Sequence, residues 1–463
     1  MRPNSSFLLA FSAPALASLQ IIPGATWTAS DGRHIQAHGA GVIAENGTYY
    51  LIGEDKTDGT PFQNVNCYAS TDLVRWDYVG ALLSRTSSGD LGPDRIVERP
   101  KVIYNEATQK YVLWMHIDSR DYGDAKAGVA TGDSVCGKYG KRLYHLLKSY
   151  SNIPLEYQGS VRPLGFQSRD MGLYKDDDGS AYLLTEDRQN GLRIDKLDST
   201  YTKVESNVYT WSEKIESPAM VKVDGRYYMF GSHLTGWDPN DNVYSTSTSL
   251  SSGWSSWREF ADDGANTYAS QTTFILPYGD GNFMYLGDRW RSDSLFSSTY
   301  IWLPLTIGGP TSVSLKNKVN WVPNLLGGGV WTEGITETSY EGEAGQAGGA
   351  AKTVSCNDCS GGNAMGYIGG PDSGTLTISG ITTQKAGTTT IRIRYANGDS
   401  STRYANVRVN DRPAVKLAFL PSRGGVGSST LVADLETSDN TIVFEGVDGG
   451  WGPDIDRLFV PVE

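Results

Sequence analysis

Asp224-Gly225-Arg226-Tyr227-Tyr228-Met229-Phe230 joins a tight polar turn to an alternating aromatic strand, and this pattern decides the fold. Related stretches occur at residues 45–51, 105–114, 178–183 and 280–286. Asp-Gly and Asn-Gly favour the positive φ angles of hairpin turns, and alternating aromatic residues suit half-buried strands. Five copies, spaced by roughly 45–75 residues, predict one hairpin in each blade of a five-bladed β-propeller.

The composition also favours an all-β protein. Its 463 residues include 54 Gly, 26 Tyr and 12 Trp, which are typical of turns and strands. With 40 Lys+Arg against 52 Asp+Glu the net charge is −12, and no basic cluster is present that could bind phosphates. We therefore exclude nucleic acid as a partner. No later apolar stretch approaches the length of a membrane span, so we expect no membrane partner. We also expect the protein to be a monomer.

The first residues have the features of a secretory signal peptide, predicted over residues 1–17. Arg2 supplies a basic start, Phe7-Leu8-Leu9-Ala10-Phe11 an apolar segment, and Ala15-Leu16-Ala17 a cleavage site. A short buried strand is the alternative interpretation. A signal peptide implies a secreted, extracellular protein, in which Asn46-Gly47-Thr48 would be an N-glycosylation acceptor if the source is eukaryotic.

Export also permits disulfide bonds between the four cysteines. We expect Cys356 and Cys359 to close a small loop, which leaves Cys67 to pair with Cys136. A metal site at Cys356-x-x-Cys359 would need two further ligands, and none is evident nearby.

A change in composition near Leu325 divides the chain. The predicted propeller covers residues 18–325, and a Gly- and Thr-rich linker follows over 326–337. Short Thr/Val/Ile strands and Gly-rich turns over 338–463 predict a β-sandwich, jelly-roll-like domain.

In four of the five predicted blades an acidic residue precedes or follows the inner hairpin strand. With the glutamine of the fifth blade they form this set: Glu54, Glu98, Asp170, Glu216 and Gln271. Carboxylates that converge on one channel raise one another's pKa, which is how a glycosidase keeps its catalytic acid protonated. The alternative is that they cap turns, since the chain has 52 acids.

The hairpins, Asp170 before Tyr174–Gly179, and Glu216-Ser217-Pro218 before Asp224–Tyr228 resemble glycoside hydrolase family 43 over about residues 21–325. The resemblance implies that Glu216 is the general acid and that Asp170 tunes its pKa. The family's usual Asp base has no counterpart, because the first blade reads His38-Gly39-Ala40-Gly41-Val42-Ile43.

The chain lacks the Asp base but contains Glu54 and Glu98-Arg99-Pro100-Lys101, and in these features it resembles the exo-β-1,3-galactanase branch of the family. In that branch a glutamine of the fifth blade is proposed to orient or activate water, and Gln271 matches it. An ordinary amide is a poor base, so Gln271 would act as an imidic-acid tautomer or would only position water. Glu98 would serve as a charge partner or take the proton. The implied chemistry is inverting hydrolysis with no cofactor. We expect further substrate contacts from Glu54, Tyr122, Asn190 and Thr235.

The C-terminal domain resembles carbohydrate-binding module family 35, on Tyr340-Glu341-Gly342-Glu343 and Pro453-Asp454-Ile455-Asp456-Arg457-Leu458. Paired terminal strands would bring together Glu341, Glu343 and Asp456, whose oxygen ligands suit a structural Ca²⁺; an edge-strand charge cluster is the alternative. The expected sugar contacts of the module are Tyr367, Asp399, Arg403, Trp451 and Asp454.

Together these features predict a secreted exo-acting galactan 1,3-β-galactosidase that removes terminal galactose from arabinogalactan-type polysaccharide with inversion. One rival is another family 43 activity, such as an arabinofuranosidase or xylosidase. The other is a catalytically inactive propeller that acts as a galactan-binding lectin.

Overall fold

The N-terminal domain is a ring of five four-stranded antiparallel sheets, seen in a computed structural model that describes residues 19–137, 156–279, 281–325 and 331–462. Within each sheet the strands are neighbours in chain order. The first strands of successive sheets contact one another, and the first strand of the fifth sheet contacts that of the first. The predicted five-bladed propeller is therefore confirmed.

The strands of the five blades have the following bounds: β1–β4 are His38–Glu45, Thr48–Glu54, Asn64–Ser70 and Asp77–Ser84; β5–β8 are Arg95–Asn105, Lys110–Ser119, Lys126–Gly132 and Glu156–Val161; β9–β12 are Met171–Lys175, Ala181–Thr185, Arg193–Leu197 and Val204–Thr210; β13–β16 are Ile215–Val223, Arg226–His233, Val243–Ser247 and Arg258–Glu259; β17–β20 are Gln271–Pro277, Phe283–Arg289, Thr299–Ile307 and Val313–Leu315. One short helical turn, α1 (Asn266–Ala269), precedes β17.

The hairpin that decides the fold behaves as the sequence predicts. Asp224 and Gly225 both have positive φ, 48° and 75°, as the two turn residues between β13 and β14. Side chains then alternate between the two neighbouring blades. Tyr228 and Phe230 pack in a cluster with residues of the fifth blade, whereas Tyr227 packs with residues of the third. The aromatic alternation thus joins three blades.

The C-terminal domain consists of two sheets packed face to face. Its strands are β23 (Glu337–Glu341), β24 (Gln346–Gly348), β25 (Lys352–Ser355), β26 (Asn363–Gly366), β27 (Thr375–Ile381), β28 (Gly387–Ala396), β29 (Arg403–Val409), β30 (Val415–Phe419), β31 (Gly427–Leu435), β32 (Asn440–Gly446) and β33 (Asp454–Pro461). One sheet has the order β25-β26-β33-β28-β31, with β23 also paired to β33, and the other has the order β24-β27-β32-β29-β30. A single apolar core lies between them, so the predicted β-sandwich is confirmed.

The connection between the domains contains a further strand pair, β21 (Trp321–Val322) with β22 (Thr332–Glu333). The predicted linker starts at residues 326–330, which lie outside the described residues. The N-terminal segment also joins the domains, because Ile21 pairs with Trp321 and Thr26 with Ser429. The predicted signal peptide, residues 1–17, also lies outside the described residues.

Both expected disulfides are present, Cys67–Cys136 and Cys356–Cys359, with Cα–Cα distances of 5.9 and 5.3 Å. Asn46 is exposed in the turn between β1 and β2, where a glycan could be attached, and its glycosylation stays a prediction. Across the described parts of the chain, no helix is both long enough and apolar enough to cross a membrane.

Candidate active site

A cavity of about 220 Å³ opens at the end of the propeller channel where the innermost strands begin. It is lined by Glu54, Glu98, Arg99, His116, Tyr122, Arg169, Asp170, Arg188, Glu216, Gly236, Trp237, Gln271 and Trp290. All four predicted catalytic residues are among them, together with Glu54 and Tyr122. The five blades therefore do bring the acids of the sequence to one place.

Bulges in the innermost strands aim these side chains into the cavity. The register of β5 shifts between Glu98 and Lys101, and that of β13 shifts between Glu216 and Ala219. In each bulge the residue after the glutamate has a left-handed backbone, with φ of 53° at Arg99 and 57° at Ser217. Such a conformation costs a non-glycine residue about 1–3 kcal/mol and is typical of functional sites. The two Glu-x-Pro motifs of the sequence are thus two copies of one structural device.

Glu216 is buried at the base of the cavity and has the character of a general acid. Burial, followed by the charges of Asp170 and Glu186, raises the pKa of Glu216 to about 9. Its Oε1 accepts a hydrogen bond of 2.8 Å from Gln271 Nε2. The proton of the neutral acid is therefore left to Oε2, the oxygen that Gln271 does not occupy.

Gln271 is held by hydrogen bonds at both ends of its amide. Its Oε1 accepts hydrogen bonds from Arg99 Nη2 and Trp290 Nε1, two groups that can only donate. Nε2 donates to Glu216 and, at 3.0 Å, to Ser232 Oγ. An ordinary amide, with an accepting oxygen and a donating nitrogen, satisfies these four hydrogen bonds. In an imidic acid Oε1 would carry a proton, which would point toward two groups that can only donate. The arrangement therefore favours the amide form over the tautomer.

Arg99, in the second blade, contacts residues of the first, third and fifth blades, and sequence reasoning did not single it out. Its Nε lies 3.1 Å from Asp170 Oδ2, and its backbone N–H donates to Glu54 Oε1 at 2.8 Å. With its contact to Gln271, this buried guanidinium places one positive charge among several carboxyl groups. Its position between Glu98 and Pro100, inside a motif noted in the sequence, is the feature from which its role in the site could have been predicted.

Glu98 is ionised, in contrast to Glu216. Although burial opposes ionisation, Lys56 and His116 lower the pKa of Glu98 well below its usual range. Lys56 Nζ lies 3.3 Å from Oε1, and Tyr122 donates to the same oxygen at 3.1 Å. His116 is itself charged: although burial opposes this, the neighbouring carboxylates of Asp118, 2.8 Å away, and Glu98, 3.5 Å away, raise its pKa to about 9.

The remaining carboxyl groups of the cavity are paired in the same way. Glu54 Oε2 lies 2.6 Å from Lys56 Nζ, and Asp170 Oδ2 accepts a bond of 2.8 Å from Ser217 Oγ. Glu98, His116 and Asp170 bring one ligand atom each to within 4.8 Å of one another, close enough to hold a metal ion. Protonated His116 and the nearby Arg99 already balance these charges.

Two tryptophans form an aromatic wall that the sequence analysis missed. Trp237 and Trp290 line the cavity in a T-shaped pair, with ring centroids 4.9 Å apart. They lie in loops after β14 and β18. Their position as single aromatic residues just beyond a strand is the sequence feature from which they could have been predicted. Planar apolar surfaces of this kind, next to polar groups, suit a sugar ring.

Two expected substrate contacts, Asn190 and Thr235, are not brought into the cavity. Asn190 Nδ2 donates to Asp187 Oδ2 at 2.9 Å within a loop. Thr235 is exposed and accepts a bond of 2.8 Å from Asn240. Both side chains bond within their own loops, and neither is among the residues that line the cavity.

The expected sugar-binding residues of the C-terminal domain do lie together. Tyr367 and Trp451, which are 45% and 42% exposed, form a T-shaped pair at 5.9 Å. Arg403 Nε lies 2.7 Å from Asp399 Oδ2, and its Nη1 donates to the carbonyl of Gly452. Burial raises the pKa of Asp454 nearby. Exposed aromatic rings beside an Asp–Arg pair are the chemical features of a sugar-binding surface.

Of the carboxylates expected to hold Ca²⁺, Glu341 ends β23, Asp456 lies on β33, and Glu343 follows two residues after β23. Ser360 donates to Asp456 Oδ1 through its N–H and to Glu341 Oε1 through its hydroxyl. Within the described ranges, Glu341 Oε2 and Glu343 Oε2 are buried without a hydrogen-bond partner. Asp456 Oδ2 has Arg394 Nε at 3.0 Å. Unpaired hard oxygens fit a calcium ion.

Comparisons with known proteins identify the family of the propeller domain. The family model described as "Glycosyl hydrolases family 43" matches residues 37–263. An exo-β-1,3-galactanase from Phanerochaete chrysosporium, solved with galactose, is 36% identical over 95% of this chain and 99% of its own, with a TM-score of 0.65. A variant of that enzyme was solved with β-1,3-galactotriose. A comparison with curated proteins gave no match.

A second solved enzyme is a family 43 β-1,3-galactosidase in complex with galactodeoxynojirimycin. It is 30% identical over 65% of this chain and 100% of its own, with a TM-score of 0.58. An exo-β-1,3-galactanase from Clostridium thermocellum, 24% identical over 89% of this chain and 100% of its own, shares the fold with a TM-score of 0.62. The fold, the site and these matches together define a glycoside hydrolase. The chain belongs to glycosyl hydrolases family 43.

For the C-terminal domain the matching family model is "Alpha-galactosidase, CBM13 domain", over residues 375–460. The domain is thus a carbohydrate-binding module, as predicted. The matched model is not that of family 35, which the sequence analysis proposed from two short motifs at the ends of the domain. Two short motifs of charged residues in paired strands are not specific enough to distinguish one family of β-sandwich modules from another.

Proposed function

We propose that this enzyme is an exo-acting galactan 1,3-β-galactosidase that hydrolyses terminal β-1,3-linked galactose from arabinogalactan-type polysaccharide with inversion. The observation that carries the proposal is the pair formed by the buried Glu216 and Gln271. The glutamine occupies the position expected for this branch of the family, and this chain is 36% identical to a solved exo-β-1,3-galactanase over 95% of its length. Release of single galactose units from the chain end is the activity we assign.

In this proposal the residues have distinct roles. Glu216 gives its proton to the glycosidic oxygen, and Asp170 helps to keep it protonated. Gln271, fixed in its amide form, positions the attacking water after substrate displaces one of its two donor contacts. Ionised Glu98 stabilises the positive charge that develops on the sugar ring. Its low pKa suits this role better than that of a base.

The size of the cavity supports attack at a chain end. At about 220 Å³ it is smaller than the roughly 300–1,000 Å³ of pockets for drug-sized ligands. One sugar ring can enter between the tryptophan wall and the carboxyl groups, whereas an internal stretch of chain would need an open groove.

A substrate panel tests the proposed specificity. We expect hydrolysis of linear β-1,3-galactan, with far lower rates on aryl arabinofuranoside and aryl xyloside. Preference for either aryl substrate would assign the enzyme to another family 43 activity. Binding of galactan without turnover, unaffected by Glu216→Gln, would instead indicate a lectin.

The pKa of Glu216 predicts the alkaline limb of the pH profile. Because only the protonated acid is active, kcat/KM should fall as the pH rises through about 9. Asp170→Asn removes a neighbouring negative charge that raises this pKa, so the limb should move to lower pH. Asp178→Asn, in an exposed turn, is the control and should leave the limb in place. An unmoved limb in Asp170→Asn would contradict the assignment of Glu216.

We also propose that the protein is a secreted monomer and that its module binds galactan through Tyr367, Trp451 and the Asp399–Arg403 fork. The two disulfides support secretion, because such bonds persist in oxidising compartments. In the module, Glu341, Glu343 and Asp456 would hold a structural Ca²⁺, which adds to Arg394 and Arg457 in offsetting their negative charge and links β23 to β33.

Calcium should therefore stabilise the module. A ligand present at a hundredfold excess over its Kd adds about 2.7 kcal/mol to the free energy of unfolding. We expect CaCl₂ to raise the melting temperature by several degrees over EDTA, measured by calorimetry, and Glu343→Gln to weaken this response. The control Glu445→Gln changes a carboxylate paired with Arg408 and should respond like the parent. Equal melting temperatures of the parent in CaCl₂ and EDTA would contradict the site.

A further inference from the structure

A second pocket lies where the propeller meets the carbohydrate-binding module. This junction pocket has a volume of about 310 Å³, and both domains contribute to its walls. The propeller supplies His34, Asp55, Asn64 and Tyr78, and the module supplies Thr402 and Tyr404. None of these residues has a role in the proposed hydrolysis.

One buried group in the wall is a hydrogen-bond donor without a partner. Gln36 Oε1 accepts from the backbone N–H of Lys56 at 3.1 Å, so its Nε2 is the donor that meets His34 Nδ1 at 2.9 Å. Burial, together with His38, lowers the pKa of His34 to about 3. The ring is therefore neutral, and its proton is on Nε2. His34 is 6% exposed, and Nε2 has no hydrogen-bond partner in the described chain.

The chemistry of the pocket suits a neutral ligand with many hydroxyl groups. Asp55 is an acceptor, and Asn64 Nδ2 fixes it by a bond of 3.0 Å. Arg33, which lies 3.9 Å above the Tyr78 ring, is already paired with Asp31 at 2.7 Å. The Arg33 guanidinium is thus already paired, while three tyrosines, Tyr68, Tyr78 and Tyr404, line the pocket. Aromatic faces with a few fixed donors and acceptors are the means by which proteins bind sugars.

The junction pocket also lies next to the catalytic cavity. Glu54 lines the cavity, whereas Asp55 and Thr57 line the junction pocket. Glu54 is the last residue of β2, and Asp55 and Thr57 follow it directly in the loop, so a few residues of backbone separate these wall residues of the two sites.

We propose that the junction pocket binds a further sugar unit of the polysaccharide whose terminal galactose occupies the catalytic cavity. The inference rests on the proposed function for the identity of that polysaccharide. His34 Nε2 donates to a sugar hydroxyl, Asp55 accepts from one, and Tyr404 packs against the ring.

Kinetics on short and long substrates test the pocket. Tyr404→Ala removes the aromatic contact of the module, and Thr57→Trp fills the pocket from the exposed propeller side. We expect both to raise KM for arabinogalactan about 5- to 10-fold, the worth of one aromatic contact. Neither should change kcat or KM on β-1,3-galactobiose, which is too short to reach the pocket.

Tyr340→Ala, a partly buried tyrosine on the opposite sheet of the module, is the matched control and should behave as the parent. If both pocket variants keep the parental KM for arabinogalactan, the pocket holds only water and the proposal is wrong. Thr57→Trp decides the question on its own if Tyr404→Ala does not fold. Absence of galactobiose hydrolysis in the parent would instead refute the proposed function, so the two failures are distinguishable.

Discussion

We expect Glu216→Gln to lower kcat on β-1,3-galactan by about 10²–10⁴-fold, because the amide has no proton for the leaving oxygen. The change is nearly isosteric, and the substituted side chain can still accept from Gln271 Nε2, so the fold should persist. A dinitrophenyl β-galactoside, whose leaving group needs no protonation, should lose much less activity. Steady-state kinetics on the two substrates measure the difference.

Glu213→Gln is the matched control, an exposed glutamate three residues before the acid, and it should retain parental kinetics. If Glu216→Gln lost equal factors on both substrates, Glu216 would stabilise charge or structure and would not be the proton donor.

Gln271→Ala should give the second large effect, a loss of about 10²-fold in kcat, since misplacement of a reacting group by about 1 Å has this cost. The variant also leaves the donors of Arg99 and Trp290 without their acceptor. In contrast to Glu216→Gln, the loss should be similar on galactan and on the dinitrophenyl galactoside, because both need a positioned water.

Gln189→Ala, at an exposed glutamine, controls for the substitution itself and should leave both rates unchanged. A Gln271→Ala enzyme that was rescued by the activated leaving group would assign Gln271 to protonation of the leaving oxygen, through Glu216, and would contradict its role toward water.

The architecture could be predicted because its signals are local. A turn such as Asp224-Gly225 requires positive φ, and the alternation of Tyr227 and Tyr228 between two blades follows from strand geometry alone. Glu98 and Glu216 could be found for a similar reason. Each is followed by one residue and a proline, a pattern that the structure shows to be a bulge at the mouth of the channel.

The partners of these acids could not be predicted, because they come from distant parts of the chain. Arg99 reaches Gln271 across 172 positions, and no local pattern records such a contact. The contrast between protonated Glu216 and ionised Glu98 depends on Lys56 and His116, which sequence reasoning did not consider.

Loop side chains were the other limit. Tyr122 enters the cavity, yet Asn190 and Thr235 turn away to bind their own loops. Position after a strand predicts that a residue is near the channel, but the hydrogen bonds within the loop decide where its side chain points.

The most direct measurement is NMR spectroscopy of linear β-1,3-galactan during its hydrolysis by the purified protein. The account predicts that free galactose is the first product and that it appears as the α-anomer before mutarotation. Release of the β-anomer would contradict inversion, and longer oligosaccharides as first products would contradict attack at the chain end.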